Sequence, residues 1–206
     1  MVSFPIPNPE KMGSDPIYSS PGKMGSDPIY SRIPLVEAEL AADRASQSDP
    51  ALAWLWSLLE QVRDPEIPVL SVRELGVLRA LESTASGLRV MITPTWSGCP
   101  AMHTIEQDIR AVLEAAGVAP VTVSMRLAPA WTTDWITPGA RESLRRYGVA
   151  PPAMTSPDAG AADPAPACPQ CGSTATRCIS EFGSTACKSL WQCRDCSEPF
   201  DAFKRL

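Results

Sequence analysis

The stretch CPQCGSTATRCISEFGSTACKSLWQCRDC, residues 168–196, holds two Cys-x-x-Cys pairs, Cys168 with Cys171 and Cys193 with Cys196. A segment as short as 168–206 buries too little apolar surface to offset its conformational entropy, whereas a structural zinc ion contributes on the order of 10 kcal/mol to folding. The four cysteines therefore read as one tetrahedral Zn2+ site that staples a zinc ribbon. Four thiolates leave the ion no open position for water or substrate, so the site reads as scaffolding. Residues 172–192 between the pairs slightly exceed the usual four-cysteine spacing, which implies a longer ribbon loop. A thioredoxin-like thiol-disulfide role needs one such pair beside a strand-helix-strand unit, and this Ser/Thr-rich tail has two. Within the loop, Cys178 and Cys187 read either as small buried hydrophobes or as further soft-metal ligands.

Outward from the ribbon, 206 residues at 44% hydrophobic suit one medium domain with a small appendage. No run approaches the length of a membrane span, and the amino terminus lacks a basic segment leading into an apolar one, so a cytoplasmic protein without membrane partners is expected. Seven cysteines, grouped as metal pairs with an isolated Cys99, fit a reducing compartment. A net charge of -5 argues against nucleic acid as a partner.

Residues 1–47 contain KMGSDPIYS twice, at 11–19 and 23–31. Rich in Pro, Gly and Ser, with too few copies for a solenoid, they are expected to form a disordered extension. The small, Pro-rich stretch 155–167 reads as a tether that lets the ribbon (168–206) swing.

Between them, residues 48–154 form the main domain. Asp49-Pro50 opens a helix with Leu52, Leu55, Trp56, Leu59 and Val62 on one face, stopped at Asp64 by Pro65. Leu75–Leu81 and Leu88–Thr93 flank a turn at Ser86-Gly87 and read as a hairpin. A helix from Cys99-Pro100 to Gly117 and a strand over Val121–Leu127 follow. A last helix is framed by Thr137, Pro138 and Gly148. The order α-β-β-α-β-α predicts an α/β (α+β) fold, a small mixed sheet with packed helices.

Cys99 lies where strand gives way to helix, and the positive end of that helix favours a thiolate; a buried or capping cysteine is the plainer alternative. His103, the single histidine, falls four residues on and can share a metal with Cys99. As the only histidine, His103 held by a metal would remove the usual general base, and no nucleophile and base pair for acyl transfer assembles without it. In DPEIP, two prolines stiffen a turn that offers Asp64 and Glu66 to a metal, a partner or the turn itself. Trp131, Asp134 and Trp135 read as half-buried core or as a docking surface.

DPEIPVLSVRELGVLRAL, ITPTWSGCPAM, LAPAWTTDWITPGARESLRRYGVAPP, CPQCGS, ISEFGSTACKSLWQC and EPFDAFK together resemble the PaaD family, D components encoded with the multicomponent phenylacetyl-CoA 1,2-epoxidase of aerobic phenylacetate catabolism. The resemblance spans residues 49–206, and the front half alone is similar to the wider iron-sulfur cluster assembly family. By position, Asp64, Pro65 and Glu66 match that family's DPE element. Thr93 and Pro94 match its TP element, and Cys99 its reactive cysteine; Glu74 stands where Asp is usual. The resemblance implies a non-catalytic accessory subunit or maturation factor. Its partners would be the epoxidase subunits, and Asp64, Glu66, Thr93 and Cys99 would take part in passing on an iron-sulfur cluster or di-iron centre. A [2Fe-2S] cluster takes four protein ligands, so one held transiently at Cys99 must be shared with another chain, a homodimer partner included, or with other local ligands. The alternatives are a purely structural subunit and a thiol-disulfide redox protein.

Overall fold

The computed structural model describes residues 34–153 and 164–205. The KMGSDPIYS copies and most of the expected tether lie outside the described residues. The chain orders as α1 (Pro34–Ser48), α2 (Ala53–Leu59), β1 (Leu78–Thr84), β2 (Gly87–Ile92), α3 (Ala101–Ala115), β3 (Val121–Met125), α4 (Pro138–Tyr147), β4 (Val149–Ala150), β5 (Thr176–Ser180), β6 (Lys188–Cys193) and β7 (Pro199–Phe203). The fold is the expected mixed α+β type with a four-cysteine ribbon.

β1 and β2 form the antiparallel hairpin, and β3 adds in parallel beyond β2. A parallel neighbour requires a crossover, which α3 supplies. Its face of Met102, Ile105, Ile109 and Leu113 packs with Leu55, Trp56 and Leu59 of α2 and with Val90 and Ile92 of β2 in one core. α4 has the signals read from its sequence: Thr137 Oγ1 accepts from the Ala140 amide at 3.2 Å, Pro138 stands at the first position, and Gly148 is left-handed at φ 94°. The first helix departs from expectation. Asp49 caps only a 3-10 turn over Pro50–Leu52, and α2 ends at Leu59.

The extension expected through residue 47 is corrected, because its last part is the α1 helix. β1 is an edge strand, and α1 covers it. Ser46 Oγ both donates to the Leu81 carbonyl and accepts from the Leu81 amide, each at 2.8 Å, so one hydroxyl replaces a missing strand neighbour. A register irregularity between Leu78 and Ala80 places Arg79 in a bulge. Its buried guanidinium pairs with Asp43 at 2.9 Å, while Arg126 binds Asp43 at 2.7 Å and also pairs with Glu39. The α1 interface is thus polar and ionic, and an apolar periodicity does not reveal it.

The expected swinging ribbon is also corrected. β4 follows directly from α4 and joins the ribbon sheet, parallel to β7, in the order β4-β7-β6-β5, with Val149 opposite Asp201 and Ala150 opposite Ala202. Cys187 and Phe203 lie in the core of the front domain, and the Phe203 ring sits 6.0 Å from that of Trp131. An isolated ribbon would leave the β7 edge and Phe203 in water; docking pairs the one and buries the other.

Candidate metal and transfer sites

Among the described residues, the ribbon's own apolar cluster contains only Ala150, Phe200, Ala202 and partly buried Trp191 beside Cys168 and Cys193. So small a core needs its metal. The Sγ atoms of Cys168, Cys171, Cys193 and Cys196 lie within 4.8 Å of one another. Cys168 and Cys196 are 3.7 Å apart, and Cys171 and Cys193 3.6 Å. Metal-sulfur bonds of about 2.3 Å give a tetrahedron with edges of about 3.8 Å, so the four donors fit one metal ion. Each pair forms a knuckle closed by a left-handed residue, Gly172 at φ 77° and Ser197 at φ 63°.

Main-chain amides point at these sulfurs. The Cys196 amide, against burial and with help from the Asp195 amide and the sulfurs of Cys171 and Cys196, draws the Cys193 thiol down to about 7. The Glu198 amide acts to lower Cys196, but burial and the other three sulfurs push it up to about 12. Four thiolates cannot all ionise side by side without a cation, and a bound ion removes that conflict.

The second site forms where the DPE turn, the loop before α3 and the ribbon meet. Asp64 is buried and spends Oδ1 on its own turn, accepting from the Glu66 amide at 2.9 Å and the Ile67 amide at 2.7 Å. Burial, opposed by these two amides, holds its carboxyl above the ordinary range. Glu66 is raised by burial and then by the charge of Asp64, while its Oε2 lies 3.9 Å from Cys187 Sγ. Thr93, at the end of β2, is buried with its hydroxyl unpaired among the described residues. Cys99 is half-buried in the turn closed by its amide on the Trp96 carbonyl at 3.1 Å. Gly98 lets the Trp96 ring fold over this turn, since a Cβ would lie 2.6 Å from the ring edge and push it aside.

The thiolate expected at Cys99 is corrected. Burial, opposed by the Ala101 amide and reinforced by the charges of Glu66 and Asp64, holds its thiol above the usual range. One amide at the helix end does not outweigh two nearby carboxylates and the loss of solvent. The site therefore favours the protonated thiol, which ionises less readily than an exposed cysteine and gives up its proton when it ligates a metal ion.

Other candidates fall elsewhere. His103 is exposed and bonds Gln107 across one helical turn at 3.0 Å. Trp131 is core, not docking surface: it is 5% exposed and donates Nε1 to the Leu75 carbonyl at 3.0 Å. Trp135 is half-buried beneath the Arg79 guanidinium, 3.4 Å from its ring centre, and Asp134 alone of that stretch is exposed. The ELG turn explains this arrangement. Glu74 Oε2 accepts from the Ser71 amide and hydroxyl at 2.8 and 2.9 Å, and the Glu74 carbonyl accepts from the Thr137 amide at 3.0 Å. Position 76 needs glycine twice over, since its backbone is left-handed at φ 75° and a Cβ there would meet that of Trp135 at 2.6 Å. Cys178 is exposed on β5, whereas Cys187 is buried at the second site. No sequence signal separated those two cysteines.

Comparison with known proteins matches residues 53–125 to the model described as "Iron-sulfur cluster assembly protein" and residues 152–204 to "PaaD zinc beta ribbon domain". A curated relative from Escherichia coli, named as the D component of a "Putative 1,2-phenylacetyl-CoA epoxidase", is 49% identical over 160 residues, covering 78% of this chain and 96% of that protein. A second, from Porphyromonas gingivalis and named "Fe-S protein maturation auxiliary factor", is 35% identical over 89 residues, or 42% of this chain and 84% of that one. Among solved structures, a domain of unknown function from Bacillus anthracis shares 25% identity, covering 45% of this chain and 89% of that one at a TM-score of 0.42. No helix among the described residues is long and apolar enough to cross a membrane. An assembly-type domain joined to a four-cysteine ribbon, and near-half identity along almost the whole of the first relative, place this chain in the PaaD family.

Proposed function

We propose that the protein is a non-catalytic accessory subunit of a phenylacetyl-CoA 1,2-epoxidase and assists maturation of its iron-sulfur or di-iron centre. The observation that carries this reading is the approach of the Asp64 and Glu66 carboxylates of the DPE turn to Cys99. The charges of both carboxylates reach the Cys99 sulfur. One relative is named as a component of that epoxidase and another as a maturation factor, which supports the same reading. In it, the iron is cargo. Cys99 gives up its proton as it ligates the incoming iron, the nearby carboxylates stabilise the positive charge, and an acceptor with more donors takes the metal by ligand exchange. The ribbon quartet holds Zn2+ as a fixed structural ion.

Cells carrying Cys99→Ser in place of the wild-type chain test this directly. Epoxidase activity on phenylacetyl-CoA is expected to fall at least tenfold, while the variant accumulates normally and retains its zinc. Undiminished activity would leave the protein as a purely structural subunit. A thiol-disulfide role instead requires Cys168 and Cys171 to cycle, which stoichiometric zinc on the quartet would exclude.

A further inference from the structure

The ribbon delivers a second thiol to the transfer site. The loop Gly183–Cys187 is held against Asp201, whose Oδ2 accepts from Ser184 Oγ at 2.7 Å and pairs with buried Lys188 at 3.4 Å. The Gly183 amide closes the loop on the Lys188 carbonyl at 2.8 Å, and the Cys187 carbonyl accepts from the Lys204 amide at 2.9 Å. This frame drives the Cys187 side chain out of the ribbon and into the front domain's core, against which Cys99 also packs. There its Sγ lies 3.0 Å from Thr185 Oγ1 and 3.9 Å from Glu66 Oε2. The charges of Glu66 and Asp64 reach the sulfurs of both Cys99 and Cys187, and Lys188 faces the same two carboxylates.

Cys187 on the ribbon loop lies 3.9 Å from Glu66, and Cys99 packs against the same core within reach of the same two carboxylates, so three separate chain segments offer sulfur and oxygen donors to one region. Sulfur selects against Mg2+ and Ca2+, and carboxylate oxygen suits ions harder than Cu+, so the set matches a borderline divalent transition ion. We propose that Cys187 is the second sulfur ligand, with Cys99, of a divalent transition-metal site that also uses Glu66, with ferrous iron as its ion. The assignment rests on the reading of Cys99 as a transient ligand, and it gives the ribbon a direct part in the transfer site. Binding displaces one proton from each thiol to solvent and changes no oxidation state. Among the described residues, only the quartet has three or more ligand atoms already gathered within 4.8 Å. The second site therefore requires the loops that carry Cys99 and Cys187 to draw together around the ion.

Cobalt(II) is the probe, added anaerobically to the zinc-loaded full chain. One further equivalent is expected to bind, with two sulfur neighbours in cobalt-edge X-ray absorption. Cys99→Ser and Cys187→Ser are each expected to leave one sulfur neighbour and to weaken binding at least tenfold. A single sulfur in the wild type, or two that persist in Cys187→Ser, would overturn the assignment while leaving Cys99 as a ligand. No cobalt uptake would overturn both, and four sulfur neighbours with loss of zinc would show only exchange into the quartet, against the proposal. Should Cys187→Ser fail to fold, the wild-type sulfur count still decides.

Discussion

Glu66 Oε2 lies 3.9 Å from Cys187 Sγ, across 121 residues of chain, and this contact brings the DPE turn and the ribbon to one site. The charge of Glu66 reaches the Cys99 sulfur as well. Burial is the larger influence on Cys99, so removing that charge relieves part of its elevation. Glu66→Gln is therefore predicted to move the pH profile of Cys99 alkylation to lower pH while leaving it above that of an exposed cysteine. Peptide mass spectrometry after timed iodoacetamide treatment reads this. An unchanged profile would place the Glu66 charge beyond effective reach of Cys99.

Asp64 combines two separable properties, an acceptor that closes its turn and a charge that burial disfavours. Asp64→Ala is predicted to cost about 1–3 kcal/mol by leaving the Glu66 and Ile67 amides without their acceptor. Asp64→Asn keeps an oxygen acceptor and removes the charge. The native carboxyl titrates above its ordinary 3.8, so its contribution is fully present below that pH and is lost as pH rises through the raised value. Asn is thus predicted to gain on the wild type as pH rises from about 4 to neutrality. Urea unfolding across that range measures it, and an advantage confined to acid pH would contradict the sign.

The α1 clasp depends on one buried carboxylate between two guanidinium groups, with Asp43 and Arg79 1% and 7% exposed. Asp43→Ala leaves both cations without their shared partner and is predicted to destabilise the protein by about 3–5 kcal/mol. Ser46→Ala, which orphans the Leu81 backbone groups at the strand edge, is predicted to cost about 1–3 kcal/mol. Equilibrium unfolding of the full chain provides both values. A negligible effect of Asp43→Ala would mean that α1 does not stay docked in solution.

Metal removal separates the two halves by what holds each together. The front core is apolar, and the ribbon core is mostly its ion. Chelation is predicted to abolish amide exchange protection in β5, β6 and β7 and in the β4 residues paired with them, while α3 and β2 retain theirs. Uniform loss throughout would show that the front domain also depends on the ion.

Features set by local chemistry were legible in the sequence. The quartet follows from cysteine spacing, and α4 from Thr137, Pro138 and Gly148, because those residues act on their own neighbours in the chain. Features set by long-range contacts were not. α1 binds through Ser46 and Asp43, which look like ordinary surface residues until the β1 edge and Arg79 are seen. Cys187 and Cys178 are equivalent in the loop until docking buries one and exposes the other. Trp131 fits a surface or a core equally well, and the Leu75 carbonyl and Phe203 decide for the core. For Cys99 the helix end pointed toward a thiolate, and burial, with the charges of Glu66 and Asp64 added to it, reverses that.

The central claim, that Cys99 passes iron to the epoxidase, is tested most directly by loading the purified full chain anaerobically with 57Fe and mixing it with iron-free epoxidase components. Mössbauer spectra recorded after separating the proteins follow the label. The account predicts that 57Fe moves to the epoxidase and restores its activity with the wild-type chain, and does neither with Cys99→Ser. Equal recovery with both chains, or with free ferrous iron alone at the same rate, would contradict it.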